Sequence, residues 1–274
     1  MQQRAIPSSG EMLPIVGLGT YRGFDVGTDA ATRARLGEVL NVVLGPGKAM
    51  IDSSPMYGRA EDVTGALLAD RGLGGHAFLA TKVWTSGKAQ GIAQMEKSLR
   101  LLRTDKLDLM QVHNLVDVNT HLATLKGWKA KGRVRYVGVT HYHSGAYREL
   151  EAVLKAEKLD FVQLNYSLDD RAAEERLLPL ARDRGIAVIV NLPFGGGGLV
   201  GRLDKQPLPP FAKDISAGTW AQLLLKFVLG HPAVTVAIPG TGNPKHMAEN
   251  VAAADGDLAS GREQILAWSK GKSL

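Results

Sequence analysis

Four side chains that could transfer protons lie at corresponding places in this sequence. Asp52, Lys82 and His113 each end a short apolar run that is typical of a buried strand, and Tyr57 lies in the loop just after Asp52. The intervals of 30 and 31 residues between the three strand ends each fit one strand-helix unit. Strand carboxyl ends converge on one face of a parallel sheet or barrel. We therefore expect an acid, a phenol, an amine and an imidazole in one pocket.

The composition indicates one soluble domain. The 274 residues fit a single domain over 1–274, with 45% hydrophobic and 22% charged residues. The absence of cysteine excludes disulfide and thiol chemistry, and it fits a cytoplasmic protein. An exported precursor stays open as an alternative. No apolar stretch approaches the ~18 residues of a membrane span, so we expect no membrane association.

The net charge of +6 could indicate an anionic partner. Lys and Arg are spread along the chain without a dense basic run, which favours an ordinary solvated surface. Weak attraction of a phosphate-bearing small molecule is the alternative, and we expect no nucleic-acid partner. We expect a monomer or a weak homo-oligomer.

The spacing of apolar segments predicts the architecture. A hairpin is expected around the turn 7–10, and helices are expected at 89–102, 171–184 and 219–229, with a short one at 260–268. Eight strand-helix units favour a closed α/β barrel, a (β/α)₈ TIM barrel with an N-terminal β-hairpin, over a doubly wound open sheet. The eight strand segments are 15–19, 49–52, 78–82, 107–113, 134–140, 160–165, 186–191 and 235–238.

The interval before the last strand is long, with a run of glycines at 195–198 and a proline-rich stretch at 207–210. Loops of this length in compact domains are usually functional or disordered. Glycines permit close approach of the backbone to a ligand. Ligand binding and plain flexibility are both open readings of this segment.

Five motifs occur in an ordered series: VGLGTY at 16–21, IDSSPMYG at 51–58, ATKV at 80–83, LMQVHN at 109–114 and IPGTGNP at 238–244. Together they resemble the aldo-keto reductase superfamily, in its bacterial type with a short C-terminal tail. The resemblance runs from about residue 6 to residue 250. It implies a (β/α)₈ barrel, a nicotinamide cofactor and carbonyl reduction by Asp52, Tyr57, Lys82 and His113.

Carbonyl reduction needs a hydride on carbon and a proton on oxygen. Tyr57 would supply the proton, although a free phenol has a pKa near ~10. The Lys82 ammonium would lower that pKa, and Asp52 would hold Lys82 charged and oriented. His113 would donate a hydrogen bond to the carbonyl oxygen and polarise it.

The resemblance also implies contacts to NADP(H), with NAD(H) less favoured. Asn243 and Pro244 are typical of a helix start, whose free amides could bind the 2′-phosphate. Three positions depart from the family: His141 and Asn191 near the nicotinamide, and Gly240 where many members have a lysine. The residues expected to contact the cofactor are Gly19, Thr20, Tyr21, Asp52, Thr140, His141, Gln163, Asn191, Pro193, Phe194, Gly195, Thr241, Lys245, His246, Glu249 and Asn250.

The expected substrate pocket is open, because the sequence lacks the long C-terminal tail that closes the pocket in some members. Phe24, Trp84 and Asn114 are expected to line it. No metal site is expected. Two other functions stay open: a Schiff-base barrel lyase with Lys82 as nucleophile, and a non-catalytic nicotinamide-nucleotide sensor or partner subunit.

Overall fold

The computed structural model describes residues 1–272, so the last two residues of the expected domain lie outside it. Within this range it has ten strands and ten α-helices. The strands are β1 (Gln3–Ala5), β2 (Met12–Pro14), β3 (Leu18–Gly19), β4 (Ala49–Asp52), β5 (Ala77–Val83), β6 (Leu107–His113), β7 (Val134–Thr140), β8 (Phe161–Asn165), β9 (Ala187–Asn191) and β10 (Val234–Ala237). The helices are α1 (Ala30–Leu44), α2 (Ala60–Asp70), α3 (Lys88–Leu101), α4 (Val118–Ala130), α5 (Tyr147–Ala156), α6 (Leu177–Asp183), α7 (Gly198–Leu203), α8 (Trp220–Leu229), α9 (Pro244–Ala252) and α10 (Leu258–Ser269).

Strands β3 to β10 lie side by side in chain order, and all neighbouring pairs are parallel. Two parallel bridges, Val16–Ala237 and Gly19–Gly240, join the first strand segment to the last. These bridges close the sheet, so the predicted (β/α)₈ barrel is confirmed and the open-sheet alternative is wrong. The predicted strand 15–19 is shortened to β3, because its first half pairs with β10 and only its second half pairs with β4.

The N-terminal hairpin of β1 and β2 covers the end of the barrel where the strands begin. Ile6 and Leu13 have at most 1% exposure and pack with Met50 and Phe78 inside the barrel. The Arg4 guanidinium donates to the carbonyl oxygens that follow α8, including that of His231 at 3.1 Å. The hairpin therefore seals the apolar interior at this end, and the hairpin predicted around residues 7–10 is confirmed.

Alternation along the strands decides what points into the barrel. Phe78 and Ala80 of β5 belong to the interior cluster, and Lys82 is the next residue with the same orientation. Leu109 and His113 are related in the same way on β6. The interior is therefore apolar along most of its length and becomes polar at the carboxyl ends of the strands. A larger apolar layer packs between the outer strand faces and the helices.

Helix boundaries follow local chemistry. Asn243 accepts a hydrogen bond from the Lys245 N–H at 3.0 Å, so α9 begins as the Asn-Pro pair predicts. The single helix expected at 171–184 is wrong: a 3₁₀ turn at Ala172–Glu174 precedes α6. Pro179 explains the break, because a continuous helix would place its ring against the carbonyl four residues earlier.

The long interval between β9 and β10 is ordered around short helices. A 3₁₀ turn at Gly195–Gly197 leads into α7, and a second turn at Pro210–Ala212 precedes α8. All three glycines of the first turn have positive φ angles, between 58° and 94°, which side chains with a Cβ rarely adopt. No helix within residues 1–272 has the length and apolar character needed to cross a bilayer.

Candidate active site

The structure brings the four predicted side chains together at the carboxyl end of the barrel. Lys82 Nζ lies 2.6 Å from Asp52 Oδ2 and 2.7 Å from the Ser53 carbonyl oxygen. The same Nζ lies 5.1 Å from the centre of the Tyr57 ring, and the Tyr57 and His113 rings are 6.0 Å apart. An ammonium, a phenol and an imidazole therefore surround one space.

The Lys82–Asp52 pair is removed from water, with both side chains at most 2% exposed. Burial alone lowers the pKa of Lys82, but the negative charge of Asp52, together with its hydrogen bond to Lys82, outweighs burial and raises this pKa above its usual value. Lys82 is therefore a charged ammonium at neutral pH. Breaking such a pair by removing one partner costs about 3–5 kcal/mol, because the other charge stays buried and unpaired.

The environment of Tyr57 differs from the sequence expectation in one respect. Burial raises the pKa of the Tyr57 phenol above its usual value, and the Lys82 ammonium offsets only part of that rise. The expected net lowering is therefore wrong for this structure. Tyr57 is a neutral phenol at neutral pH and keeps a proton to donate.

The loop that carries Tyr57 is fixed by contacts to the loop after β3. The Asp25 carboxylate accepts a hydrogen bond from the Arg59 N–H at 2.9 Å. Gly58 has a φ of +60°, and a Cβ there would lie 2.4 Å from the same carboxylate. Only glycine fits this close approach, so the turn between Tyr57 and α2 holds the phenol in place.

His113 is a neutral imidazole in this site. Burial first, and then the charge of Lys82, lowers the pKa of His113 to about 2. Its Nδ1 atom lies 3.0 Å from Ser54 Oγ, and the imidazole is only 5% exposed. As a neutral ring, His113 can donate one hydrogen bond but does not bring a positive charge to a substrate.

The lowered pKa of His113 predicts a pH-dependent loss of stability. Below pH 6.5 the unfolded chain binds a proton at this position and the folded chain does not, so stability falls as the pH falls towards 2. Each pH unit in this window costs about 1.4 kcal/mol. Urea unfolding at pH 7 and pH 5 should show a smaller loss for His113→Gln than for the wild type. Equal losses would contradict the assigned shift.

Two further residues contact members of this group of four and were not predicted as site residues from the sequence. Gln111 donates to Asp52 Oδ1 at 3.4 Å, and Ser54 contacts His113. Gln111 is two residues before His113 on β6, so strand alternation placed it on the same inward face. Ser54 gave no comparable signal, because a serine after a strand is also common in plain turns.

The residues expected around the nicotinamide lie at neighbouring strand ends. Thr20 Oγ1 donates to the Asp52 carbonyl oxygen at 3.0 Å, which joins the first strand segment to β4. On β8 and at the end of β9, Gln163 Nε2 and Asn191 Oδ1 are buried without a hydrogen-bond partner among the described residues. His141 Nδ1 accepts from the Tyr142 N–H at 3.0 Å, which leaves its Nε2 as the donor. An unpartnered donor and acceptor suit a primary carboxamide, so these strand ends fit a nicotinamide ring.

The residues expected at the phosphate end lie around the start of α9. Thr241 Oγ1 accepts from the Asn243 N–H at 3.1 Å, and the side chains of Lys245 and His246 are exposed. A Cβ at Gly240 would lie 3.1 Å from the Gly19 carbonyl oxygen, so the bridge that closes the barrel favours glycine over the common lysine. The other expected cofactor residues differ in exposure. Tyr21 and Gly195 are exposed, and the remaining ones are buried or partly exposed: Thr140, Pro193, Phe194, Glu249 and Asn250.

The three expected pocket residues differ in their surroundings. Trp84 is 42% exposed just after β5, and Gln94 bonds both its backbone N–H and its carbonyl, at 2.6 and 3.1 Å. Asn114 follows β6 with a φ of +51°, and its Oδ1 is buried without a described partner. Phe24 has no exposed surface and packs in the outer core, so its side chain offers nothing to a substrate.

A separate open cleft lies at the opposite end of the barrel. It encloses about 410 Å³ and is lined by Ser8, Lys129, Arg135 and Tyr136, among others. Lys129 pairs with Asp160 at 2.6 Å, and Arg135 pairs with Asp108 at 2.5 Å. None of the four proton-transfer residues lines this cleft, and two of its basic side chains, Lys129 and Arg135, are already paired. This cleft is therefore separate from the candidate site at the carboxyl end of the barrel.

Comparison with known proteins agrees with this geometry. A model of the Aldo/keto reductase family matches residues 15–261. The methylglyoxal reductase YeaE of Escherichia coli is 32% identical over 97% of this chain and 94% of its own length. An NADH-specific methylglyoxal reductase of the same organism is 30% identical over 49% of this chain and 42% of its own length.

A solved structure is also similar. The aldo/keto reductase from Klebsiella pneumoniae, crystallised with NADP and acetate, is 28% identical, with a TM-score of 0.79 over 97% of this chain and 95% of that chain. With the family match, the curated relatives and the barrel in agreement, this chain belongs to the aldo/keto reductase family and is an NAD(P)H-dependent oxidoreductase.

Proposed function

We propose that this enzyme reduces aldehyde or ketone carbonyls to alcohols with NADPH, and that Tyr57 is the general acid. The observation that carries this proposal is the buried Lys82–Asp52 pair, 2.6 Å apart, next to the Tyr57 ring. The family match and the reductase names of the relatives support the reaction class.

The proposed role of each group in the reaction follows from its position in the site. When bound, the nicotinamide supplies the hydride. Tyr57 is a neutral phenol and gives its proton to the carbonyl oxygen as negative charge develops there. Lys82 lies close to the phenol and stabilises the phenolate that remains, and Asp52 holds Lys82 in place. Tyr57 then regains its proton from solvent.

His113 completes the polar surface around the carbonyl oxygen. Its ring lies 6.0 Å from the Tyr57 ring in an edge-on arrangement, so the two side chains border the same space. A fixed donor in a site shielded from water stabilises developing charge more than one in water. His113 serves as a neutral donor, because its pKa of about 2 keeps it uncharged throughout the neutral range.

The Schiff-base alternative is disfavoured by the state of Lys82. A nucleophilic lysine must be a neutral amine, whereas Lys82 is completely buried and donates to Asp52 and to the Ser53 carbonyl. Borohydride should therefore trap no adduct on Lys82. The sensor alternative makes no use of Tyr57 and predicts nucleotide binding without turnover.

We expect NADPH to bind more tightly than NADH, because Lys245 and His246 lie exposed in the first turn of α9. Replacing both with Ala should weaken NADPH binding roughly tenfold, the effect of about 1.4 kcal/mol, and leave NADH binding unchanged. The preference should shrink at high salt. Fluorescence titration of both cofactors measures this effect.

The exposed Lys131, which caps the C-terminal end of α4, provides a matched charge control. Lys131→Ala removes one positive charge and should leave the ratio of the two dissociation constants unaltered. Equal affinity of the wild type for NADH and NADPH would refute the preference. The NADH-specific relative makes this outcome a real alternative.

A turnover assay tests the proposed function as a whole. The purified enzyme should oxidise NADPH, measured as a loss of NADPH absorbance, when a reactive aldehyde is added. Methylglyoxal, which appears in the name of the YeaE relative, should have the same effect. One molecule of alcohol should form for each molecule of NADPH consumed. Nucleotide binding without turnover across a panel of aldehydes and ketones would instead favour the sensor.

A further inference from the structure

His113 has two ring nitrogens, and only one of them is protonated in the neutral imidazole. If the proton is on Nε2, the ring can donate to a carbonyl oxygen in the pocket. If the proton is on Nδ1, Nε2 is only an acceptor and repels that oxygen. The role proposed above for His113 therefore depends on which nitrogen carries the proton, and the partner of Nδ1 decides this.

That partner is Ser54. Its hydroxyl oxygen lies 3.0 Å from Nδ1, and Ser54 is completely buried. The only other recorded partner of this hydroxyl in the described residues is the Met56 N–H, which donates to it at 3.4 Å. A backbone N–H cannot accept a hydrogen bond, so Nδ1 is the one described acceptor for the Ser54 proton.

The two tautomers therefore differ in cost. With the proton on Nε2, Ser54 donates to Nδ1 and every polar atom of this contact is satisfied. With the proton on Nδ1, the hydroxyl accepts two N–H groups and its own proton is buried without an acceptor. Leaving a buried donor unsatisfied shifts such an equilibrium by roughly fivefold to 150-fold.

We propose that Ser54 is a positioning residue that donates to His113 Nδ1 and holds the imidazole in the Nε2–H tautomer. This inference rests on the proposed function for its consequence in catalysis, but the tautomer itself can be measured without any reaction. Ser54 does not contact the substrate in this proposal. It acts only through His113, whose Nε2 has no described protein partner.

The direct test is a ¹H–¹⁵N correlation spectrum of the histidine rings, in which protonated and unprotonated ring nitrogens have well-separated shifts. The His113 signals are identified by their loss in His113→Gln. The wild type should show the proton on Nε2 at pH 7. Ser54→Ala should shift the ring towards a mixture of tautomers, and Ser54→Thr, which keeps a hydroxyl, should restore the wild-type pattern.

Ser53 supplies the matched control, because it is the adjacent buried serine. Its hydroxyl is hydrogen-bonded to Thr20 Oγ1 at 2.9 Å, and it makes no contact with His113 among the described residues. Ser53→Ala should therefore leave the His113 shifts unchanged. A purely structural effect of losing a buried hydroxyl would appear in the thermal melts of both alanine variants, whereas the change in tautomer should appear only for Ser54→Ala.

Kinetics separate this inference from the proposed function. Ser54→Ala should lower kcat/KM for carbonyl reduction about fivefold or more, as expected for a weakened hydrogen bond. A wild-type proton on Nδ1, or His113 shifts that do not respond to Ser54→Ala, would overturn the assignment of Ser54 while reduction itself continues. Failure of the wild type to reduce any carbonyl would instead remove the proposed function and leave the tautomer result intact.

Discussion

Tyr57→Phe is expected to lower kcat for carbonyl reduction by about 10²–10⁴-fold, the usual contribution of a general acid. The substitution removes one oxygen atom and keeps the ring, so the packing against Tyr21, at a ring distance of 5.0 Å, should persist. The dissociation constant for NADPH should therefore stay close to that of the wild type. Steady-state kinetics and fluorescence titration measure the two effects separately.

Tyr142 offers a control for the loss of a phenol at the same end of the barrel. It follows β7 and is 52% exposed, and its hydroxyl has no assigned role in the reaction. Tyr142→Phe should therefore leave kcat within about threefold of the wild type, and as a surface substitution it should change the unfolding free energy by no more than about 0.5 kcal/mol. A Tyr57→Phe enzyme that retained kcat within the same range would show that another group donates the proton.

Lys82→Met should abolish most activity and also destabilise the fold. The Tyr57 phenolate loses its neighbouring positive charge, so the Tyr57 pKa should rise further. At the same time Asp52 is left buried without its partner, which should cost about 3–5 kcal/mol of unfolding free energy. Kinetics, urea unfolding and the ultraviolet titration of Tyr57 provide the three measurements.

A double substitution separates these two consequences. Lys82→Met with Asp52→Asn removes both charges, so most of the stability lost in the single variant should return, while activity should not. Asp52→Asn alone should reduce activity less than Lys82→Met, because the Lys82 side chain stays beside the phenol and keeps its bond to the Ser53 carbonyl, although its pKa falls without the Asp52 charge. Recovery of activity in the double variant would show that Lys82 acts only through stability.

The sequence predicted the positions of three of the four residues because two simple periods coincide. A strand-helix unit of about 30 residues brings Asp52, Lys82 and His113 to successive strands, and the two-residue alternation turns their side chains inward. Neither inference needs tertiary detail. The hairpin and the start of α9 were predictable for a similar reason, since turn and capping residues act locally.

Properties that depend on distant contacts were not predictable. The first strand is divided between two neighbours only because the barrel closes. The sequence shows that a lysine can lie near Tyr57, but the net pKa of the phenol depends on how much water burial removes. Phe24 is an aromatic residue close to a strand end, which is typical of a pocket residue. The path of the loop after β3 nevertheless turns its ring into the core.

The most direct measurement of the central claim is isotope transfer from the cofactor to the substrate. NADPH that carries deuterium at the transferable position of its nicotinamide should give an alcohol with one deuterium on the former carbonyl carbon per turnover, as seen by mass spectrometry. Tyr57→Phe should form this product at about 10²–10⁴-fold lower rate. An alcohol without deuterium, or no alcohol at all from the wild type with any aldehyde or ketone tested, would contradict hydride transfer at this site.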